Sequence, residues 1–344
     1  MSMKTVVFMV NTEYHLLLSL GILRTCHTAN YKTYIYKVAP IGGSRLKQIS
    51  FEHSDIEYRE IVYNYDHPNR NLRERIKEIV NLNPSVFYFF LENKYWLNFL
   101  LSSLHNKGTK IVLGPDGLKA YNDSRVSYLK IIKNTAKGLL GCLKSGIFYP
   151  PLVEKTYATS KYIDEVWVDC PSKYKNRSNK KVVGFLIPYG TDFISELNSI
   201  FMVKNKDLSN MKGKTILFID SPYSSEKYYE ITTKLINEVQ RRCPERRLNI
   251  KLHQLSSNKA KQKYQLLKDA TFLEKQCPAE LYIANAQDCI VISLISTSLL
   301  FYNPKCRYYW TYPLYQDLYD YSKIINPTHH IQVISKLEEI VSNE

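Results

Sequence analysis

The chain has 344 residues, 44% of them hydrophobic and 23% charged, and its 47 Lys and Arg against 32 Asp and Glu leave a net charge of +15. Such a length and balance are ordinary for a soluble globular protein of two domains, and the charge favours an anionic partner: phosphorylated substrate, acidic lipid or nucleic acid. Seven cysteines, odd in number, widely spaced and without a Cys-x-x-Cys pair, argue for a reducing compartment and against a disulfide framework or a zinc site. The N-terminal apolar run Thr5 to Val10 is too short for a signal sequence and nothing approaches the ~18 apolar residues of a membrane span, so the expected location is cytoplasmic, with membrane contact at most peripheral.

Lys4 to Val10 is a continuous β-branched and apolar run, the pattern of a strand buried on both faces, and it opens a parallel sheet. Asn11-Thr12 caps a helix over Glu13 to Thr25, in which Tyr14, Leu17, Leu18, Ile22 and Leu23 recur at helical spacing. His15, in its first turn, is either a partly buried polar side chain or a substrate contact. Further strands are expected at Lys32 to Lys37, Ile56 to Val62, Val86 to Leu91 and Lys110 to Leu113, with a polar helix over Asn71 to Val80. The last of these strands runs into Gly114-Pro115-Asp116-Gly117. A carboxylate between glycines just past a buried strand is either a turn residue or a base presented at the sheet's edge.

From Tyr121 to Tyr149 the chain reads as helical, apolar and in places basic (Lys130, Lys133, Lys137, Lys144), so it either covers the sheet or lies against a membrane. Pro150-Pro151 breaks it, Glu165 to Val168 reads as a strand, and Lys173 to Lys181 as a solvated basic loop. The pattern weakens over 191–213, where a linker is expected between a domain of residues 1–190 and one of residues 214–344; the last helix is free to pack back on the first domain. Lys214 to Ile219 then repeats the opening theme: a buried strand, the polar turn Asp220 to Ser225, and a helix from about Lys227 to Arg242. The fold class is therefore α/β, with two Rossmann-like domains facing across a cleft.

In the second half a strand over Leu248 to Leu252 ends at His253, preceded by Lys251 and followed by a helix over Ser257 to Asp269. A short strand at Thr271 to Leu273 and a helix over Glu280 to Asn285 come next. The strand Asp288 to Ser293 is followed by Ser296-Thr297-Ser298 at the start of a helix, where the hydroxyls serve either as simple caps or as phosphate ligands.

The order of these motifs resembles the bacterial sialyltransferases of GT-B architecture: an acidic-Asp-Gly motif in the first domain, then a His-Pro motif, a Pro-x-Glu and a Ser/Thr cluster in the second. Asn11-Thr12-Glu13-Tyr14-His15-Leu16-Leu17 resembles the Thr-Pro-Tyr-x-Leu-Leu opening of the lipooligosaccharide sialyltransferases. The resemblance implies that Asp116 is the general base on the acceptor hydroxyl and that His253 stabilises or protonates the departing phosphate. It also implies that Glu280 holds the ribose of cytidine monophosphate and Ser296, Thr297 and Ser298 its phosphate. Gly117 and Lys251 go with the donor site, and Thr12, Tyr14 and His15 with the substrate-binding opening. The chain departs from the pattern at Glu13, Pro115 and Gln254.

What the resemblance implies is an inverting transfer of sialic acid from CMP-sialic acid to a galactose-type hydroxyl of a bacterial surface glycan: O-antigen, lipooligosaccharide or capsule. Departure of a nucleoside monophosphate from an anomeric carbon asks for a base on one face and phosphate stabilisation on the other, without a cofactor or metal. No Asp-x-Asp occurs. A GT-B enzyme with another CMP-linked ulosonic acid or a UDP-hexose donor stays open, as does a non-catalytic module binding nucleic acid or anionic glycan. No helix-turn-helix, zinc or RNA-binding motif supports nucleic acid. The expected partners are a nucleotide-sugar donor and an oligosaccharide or lipid-linked acceptor; a homodimer and contact with an anionic membrane are compatible with the sequence.

Overall fold

The computed structural model describes residues 4–27, 31–40, 56–63, 70–121, 126–175, 178–188, 190–223, 225–254, 256, 258–315 and 324–340. Ser224, Ser257 and the chain end beyond 340, where a helix packing back on the first domain is expected, lie outside them, as do residues 122–125, 176–177 and 189. The chain divides into two compact units, Met1–Pro188 and Tyr189–Glu344.

In the first unit, strands β1 (Lys4–Val10), β2 (Tyr31–Pro40), β3 (Ile56–Tyr63), β4 (Val86–Phe89), β5 (Lys110–Leu113), β6 (Glu165–Val168) and β7 (Lys181–Gly184) alternate with helices α1 (Glu13–Cys26), α2 (Arg70–Asn81), α3 (Leu97–His105) and α4 (Tyr128–Lys144). The strands are all parallel and lie in the order β3-β2-β1-β4-β5-β6-β7. This is the Rossmann order, with its reversal between β1 and β4; ligands of such sheets bind beyond the carboxyl ends of the strands near that reversal. β1 is central, and Val6 through Val10 are fully buried, as its continuous apolar run requires. Thr12 caps α1 by accepting the His15 N–H on Oγ1 (3.2 Å), and α1 is then buried nearly all round, from His15 through Ile22.

The second unit contains β8 (Lys214–Ile219), β9 (Arg247–Lys251), β10 (Thr271–Phe272), β11 (Asp288–Ser293), β12 (Cys306–Trp310) and β13 (Ile331–Val333), with helices α5 (Thr191–Ile200), α6 (Asn205–Asn210), α7 (Glu226–Arg242), α8 (Asn258–Tyr264) and α9 (Ala279–Asn285). Its parallel order β10-β9-β8-β11-β12-β13 repeats the Rossmann arrangement, with the reversal between β8 and β11. The core gathers Ile216, Phe218, Leu235, Ile236, Ile250 and Ile292 between β8, β9, β11 and α7. Buried Asp220, just past β8, accepts hydroxyls from Tyr228 (3.0 Å), Tyr264 (2.9 Å) and Ser256 (2.7 Å), which fastens the turn after the strand to α7 and α8.

The structure differs from the sequence-based expectation in several places. The stretch 191–213 carries α5 and α6, which pack on α9 through the Asn198–Asn285 amide pair (3.0 Å) and through Asp207, which accepts the Tyr282 hydroxyl (3.2 Å). The basic loop expected over 173–181 leads at Lys181 into the edge strand β7, which is not expected from the sequence, and β12 and β13 extend the second sheet where no strand is expected. The segment after Ser296 is one 3-10 turn, Thr297–Leu300, rather than a helix, and the helix expected from Tyr121 starts at Tyr128, after a 3-10 turn at Gly117–Ala120.

Candidate functional site

In the first domain the chemistry collects at the carboxyl end of the sheet. β5 ends at Leu113, and Gly114 follows where a Cβ would lie 2.4 Å from the Phe90 ring; only a glycine lets that ring through. The Phe90 ring stacks on His15, with centroids 4.8 Å apart and planes 12° from parallel. Asp116 then places Oδ1 3.3 Å from His15 Nε2, and Gly117 turns the chain with φ +55°, the left-handed region that favours glycine. The two glycines of the motif thus do different work: one admits the stacking ring, the other makes the turn.

His15 has a defined tautomer. The Asn11 backbone N–H donates to Nδ1 (3.3 Å), so the ring hydrogen sits on Nε2 and is donated to Asp116. The His15 side chain is 2% exposed whereas the Asp116 side chain is 22% exposed. Of the pair, Asp116 is therefore the member that can meet a substrate, and His15 holds it from behind. Thr12 spends its hydroxyl on the α1 cap, and the Tyr14 ring lies 6.2 Å from that of His15.

Two further carboxylates stand at this edge, and no motif in the sequence singles out either. Glu92, buried after β4, accepts the Thr159 and Ser160 N–H groups (2.9 Å each), yet burial pushes its carboxyl pKa up to about 7. That of Asp169, the residue after β6, is pushed up to about 7 by burial as well. Tyr157 donates to the Gly114 carbonyl (2.9 Å); burial first, then the negative charges of Asp116, Glu92 and Asp169, raise its phenol well above the ordinary value. A charged residue directly after a short buried run, as in Phe90-Leu91-Glu92 and Trp167-Val168-Asp169, is the signal that could have found them. Asn11 Oδ1 and Asp169 Oδ2 are buried at the ends of β1 and β6 without a hydrogen-bond partner, two acceptors open to a donor.

In the second domain, Lys251 ends β9 and is buried, its Nζ donating to the Lys275 carbonyl (2.9 Å) and the Leu252 carbonyl (3.2 Å). Burial raises the carboxyl of Glu280, in the first turn of α9, against its own backbone N–H, the Ser298 hydroxyl and the charge of Lys251, which pull it down. Ser298 is thereby within hydrogen-bonding reach of Glu280, and Lys251 is close enough to act on that carboxyl through its charge. The loop that carries Ser298 is fixed from within: Ser293 Oγ accepts the Ser296 N–H (3.1 Å), Ser296 Oγ accepts the Ser298 N–H (3.2 Å), and Trp310 Nε1 donates to the Ser296 carbonyl (3.1 Å). Ser296 is thus used as a cap, while Thr297 and Ser298 stay half-buried in the turn. His253, two residues past β9, is half-buried, and its carbonyl accepts the Ser256 N–H (2.9 Å). Among the described residues no group of three or more His, Cys, Asp or Glu side chains is arranged to hold a metal ion.

A cavity of about 520 Å³ in the first domain lies along α4, lined by Glu92, Tyr95, Asn134, Lys137, Lys144 and Glu154 among others. It shares Glu92 with the carboxylate cluster but does not contain Asp116.

The fold is similar to that of the Methanocaldococcus jannaschii UDP-GlcNAc 2-epimerase in complex with UDP-GlcNAc and UDP, at a TM-score of 0.54 and 10% identity, covering 98% of this chain and 91% of that one. It is also similar to Staphylococcus aureus MnaA with UDP, at a TM-score of 0.50 and 10% identity, covering 86% of this chain and 80% of that one. Among curated proteins none matches the sequence. The family model described as alpha-2,8-polysialyltransferase (POLYST) matches residues 6–307, a stretch that takes in His15 and Asp116 and, in the second domain, Lys251, Glu280 and Ser298. With two Rossmann-like domains of the GT-B kind and that match along most of its length, the chain belongs to the alpha-2,8-polysialyltransferase family.

Proposed function

We propose that the protein is an inverting glycosyltransferase that moves sialic acid from CMP-sialic acid to a hydroxyl of a bacterial surface glycan. The family match over residues 6–307 carries this reading. The family's description makes a sialic acid hydroxyl an acceptor to test beside the galactose-type hydroxyl read from the sequence. UDP is bound in both similar structures, so a UDP-linked sugar is the second reading of the donor.

In this scheme Asp116 takes the proton of the acceptor hydroxyl. Its carboxylate is part-exposed, and the hydrogen bond from His15 Nε2 fixes one oxygen and leaves the other for substrate. At the donor, His253 meets the leaving phosphate, with Thr297 and Ser298 as hydroxyl donors and Glu280 on the ribose. A base contributes roughly 100- to 10,000-fold, and preorganised donors at the phosphate about as much again.

The test is a transfer assay on the full chain with CMP-sialic acid and UDP-sugars as donors and with sialic-acid- and galactose-terminated acceptors. Asp116→Asn should lose transfer by roughly 100-fold or more while still binding CMP, because the base acts on the acceptor alone. His253→Ala should slow both transfer and the hydrolysis of donor by water. Parental transfer rates in Asp116→Asn would sink the assignment of the base, and turnover of UDP-sugars with CMP-sialic acid untouched would sink that of the donor.

A further inference from the structure

α4 is docked on the first domain by its small residues. Placed at about 100° per residue, its 17 residues fall into three sectors. Ile131, Thr135, Gly138, Gly141 and Cys142 meet the protein, and the contact is close: a Cβ at Gly138 would lie 2.7 Å from Pro151, and one at Gly141 2.9 Å from the Tyr95 ring. A second sector, roughly 120° wide, holds Tyr128, Leu129, Ile132, Leu139, Leu140 and Leu143, which are between 46% and 79% exposed. Beside it, within roughly 60°, lie Lys130, Lys133, Lys137 and Lys144, all exposed. The helix carries no Asp or Glu, and Phe148, four residues past its end, is 83% exposed.

We infer that α4 is an interfacial anchor that lays its exposed leucine stripe into the surface of an anionic lipid bilayer, with the lysine stripe on the headgroups. Exposed apolar residues scattered singly are ordinary, as Leu186, Met202 and Leu266 are here. Six on one helix beside a row of lysines form a patch with a direction. An amphipathic helix of this composition sinks its apolar face about 5–10 Å into the headgroup boundary, and lysines along its flank find anionic lipid there. No helix among the described residues is long and apolar enough to cross a membrane, so the contact is one of lying on the surface. A second copy of the chain fits the patch less well. Two such helices paired by their leucines would bring their lysine rows together with no carboxylate on either to answer them.

The test uses the full chain without nucleotide sugar, so its outcome is independent of the donor and of Asp116. Co-sedimentation with vesicles of phosphatidylethanolamine and phosphatidylglycerol should show binding, weak on phosphatidylcholine alone. Binding should also weaken as salt rises from about 0.1 M to about 1 M, where the screening length falls from about 10 Å to about 3 Å. Lys130→Gln, Lys133→Gln, Lys137→Gln and Lys144→Gln should each cost roughly fivefold in partitioning. The double variant Leu139→Ser, Leu143→Ser should cost tenfold or more with an unchanged melting temperature, while Leu186→Ser changes nothing. The inference is overturned if the leucine double variant binds vesicles like the parent. It is overturned equally if the parent ignores anionic vesicles, above all if light scattering then shows a dimer that the double variant disperses.

Discussion

Two helices of equal length, α4 in the first domain and α7 in the second, solve the same problem in opposite ways. α7 buries Tyr228, Tyr229, Leu235, Ile236 and Val239, and turns outward a set of ion pairs, Lys234 with Glu230 (2.9 Å) and Arg241 with Glu238 (2.7 Å). α4 buries two glycines and a cysteine and turns its leucines outward. In α7 the apolar side chains hold the fold together, each worth about 1.5–3 kcal/mol when fully buried. In α4 they contribute little of that to the folded chain. The difference teaches that amphipathic spacing fixes which residues share a face but not which face meets the core; the glycines decide that in α4 by permitting approach where leucines would not fit.

The comparison breaks most easily at α7. Ile236→Ala should lower the unfolding free energy by about 2–5 kcal/mol, read from urea denaturation, since Ile236 is buried in the second core. On α4 the sensitive position is a glycine: Gly141→Leu forces a side chain onto the Tyr95 ring and should cost about 1–3 kcal/mol by overpacking. A smaller effect tells the two domains' transitions apart. Burial alone would raise the Glu165 carboxyl, but hydrogen bonds from Lys181 (2.6 Å), Lys110 (3.0 Å) and Trp167 (3.1 Å) hold its pKa down at about 2. Because the folded value lies below the ordinary ~4.3, its stabilisation is complete above roughly pH 5 and is lost as the pH falls towards 2. Glu165→Gln should cost about 1 kcal/mol at pH 7, given the exposed lysine partners, and should flatten the first domain's acid limb in pH-dependent melting. Leu139→Ser should move stability by less than about 0.5 kcal/mol, and a larger loss would mean that the leucine face of α4 is part of a core after all.

The parallel sheets were legible where runs were long and apolar: Lys4 to Val10 and Lys214 to Ile219 both became central strands. Edge strands were not. β7 is half-exposed along its length and follows a basic loop, and β12, although rich in strand-favouring aromatic residues, is only five residues long with an arginine inside it. At the first domain's site the sequence supplied both His15 and Asp116, but as separate ambiguities, each with a bland reading. Their hydrogen bond spans 101 positions and follows from the order β1-β4-β5, which no local pattern encodes. Glu280 and Lys251 are both assigned to the donor site through the resemblance, but no local pattern says that the charge of Lys251 reaches the Glu280 carboxyl. The inside-out docking of α4 was half visible: the sequence offered sheet or membrane as alternatives, and only the close approach to Tyr95 and Pro151 shows which side is which.

The fixed tautomer of His15 has a consequence for where a proton goes. With the Asn11 N–H held at Nδ1 and the ring's own hydrogen already pointing at Asp116 from Nε2, the imidazole presents no lone pair to its carboxylate partner. In the proposed scheme, a hydrogen ion taken up by Asp116 would therefore have no inward route through the ring. It would leave by the exposed side of the carboxyl, and the site would be reset by exchange with solvent rather than by a relay through the protein.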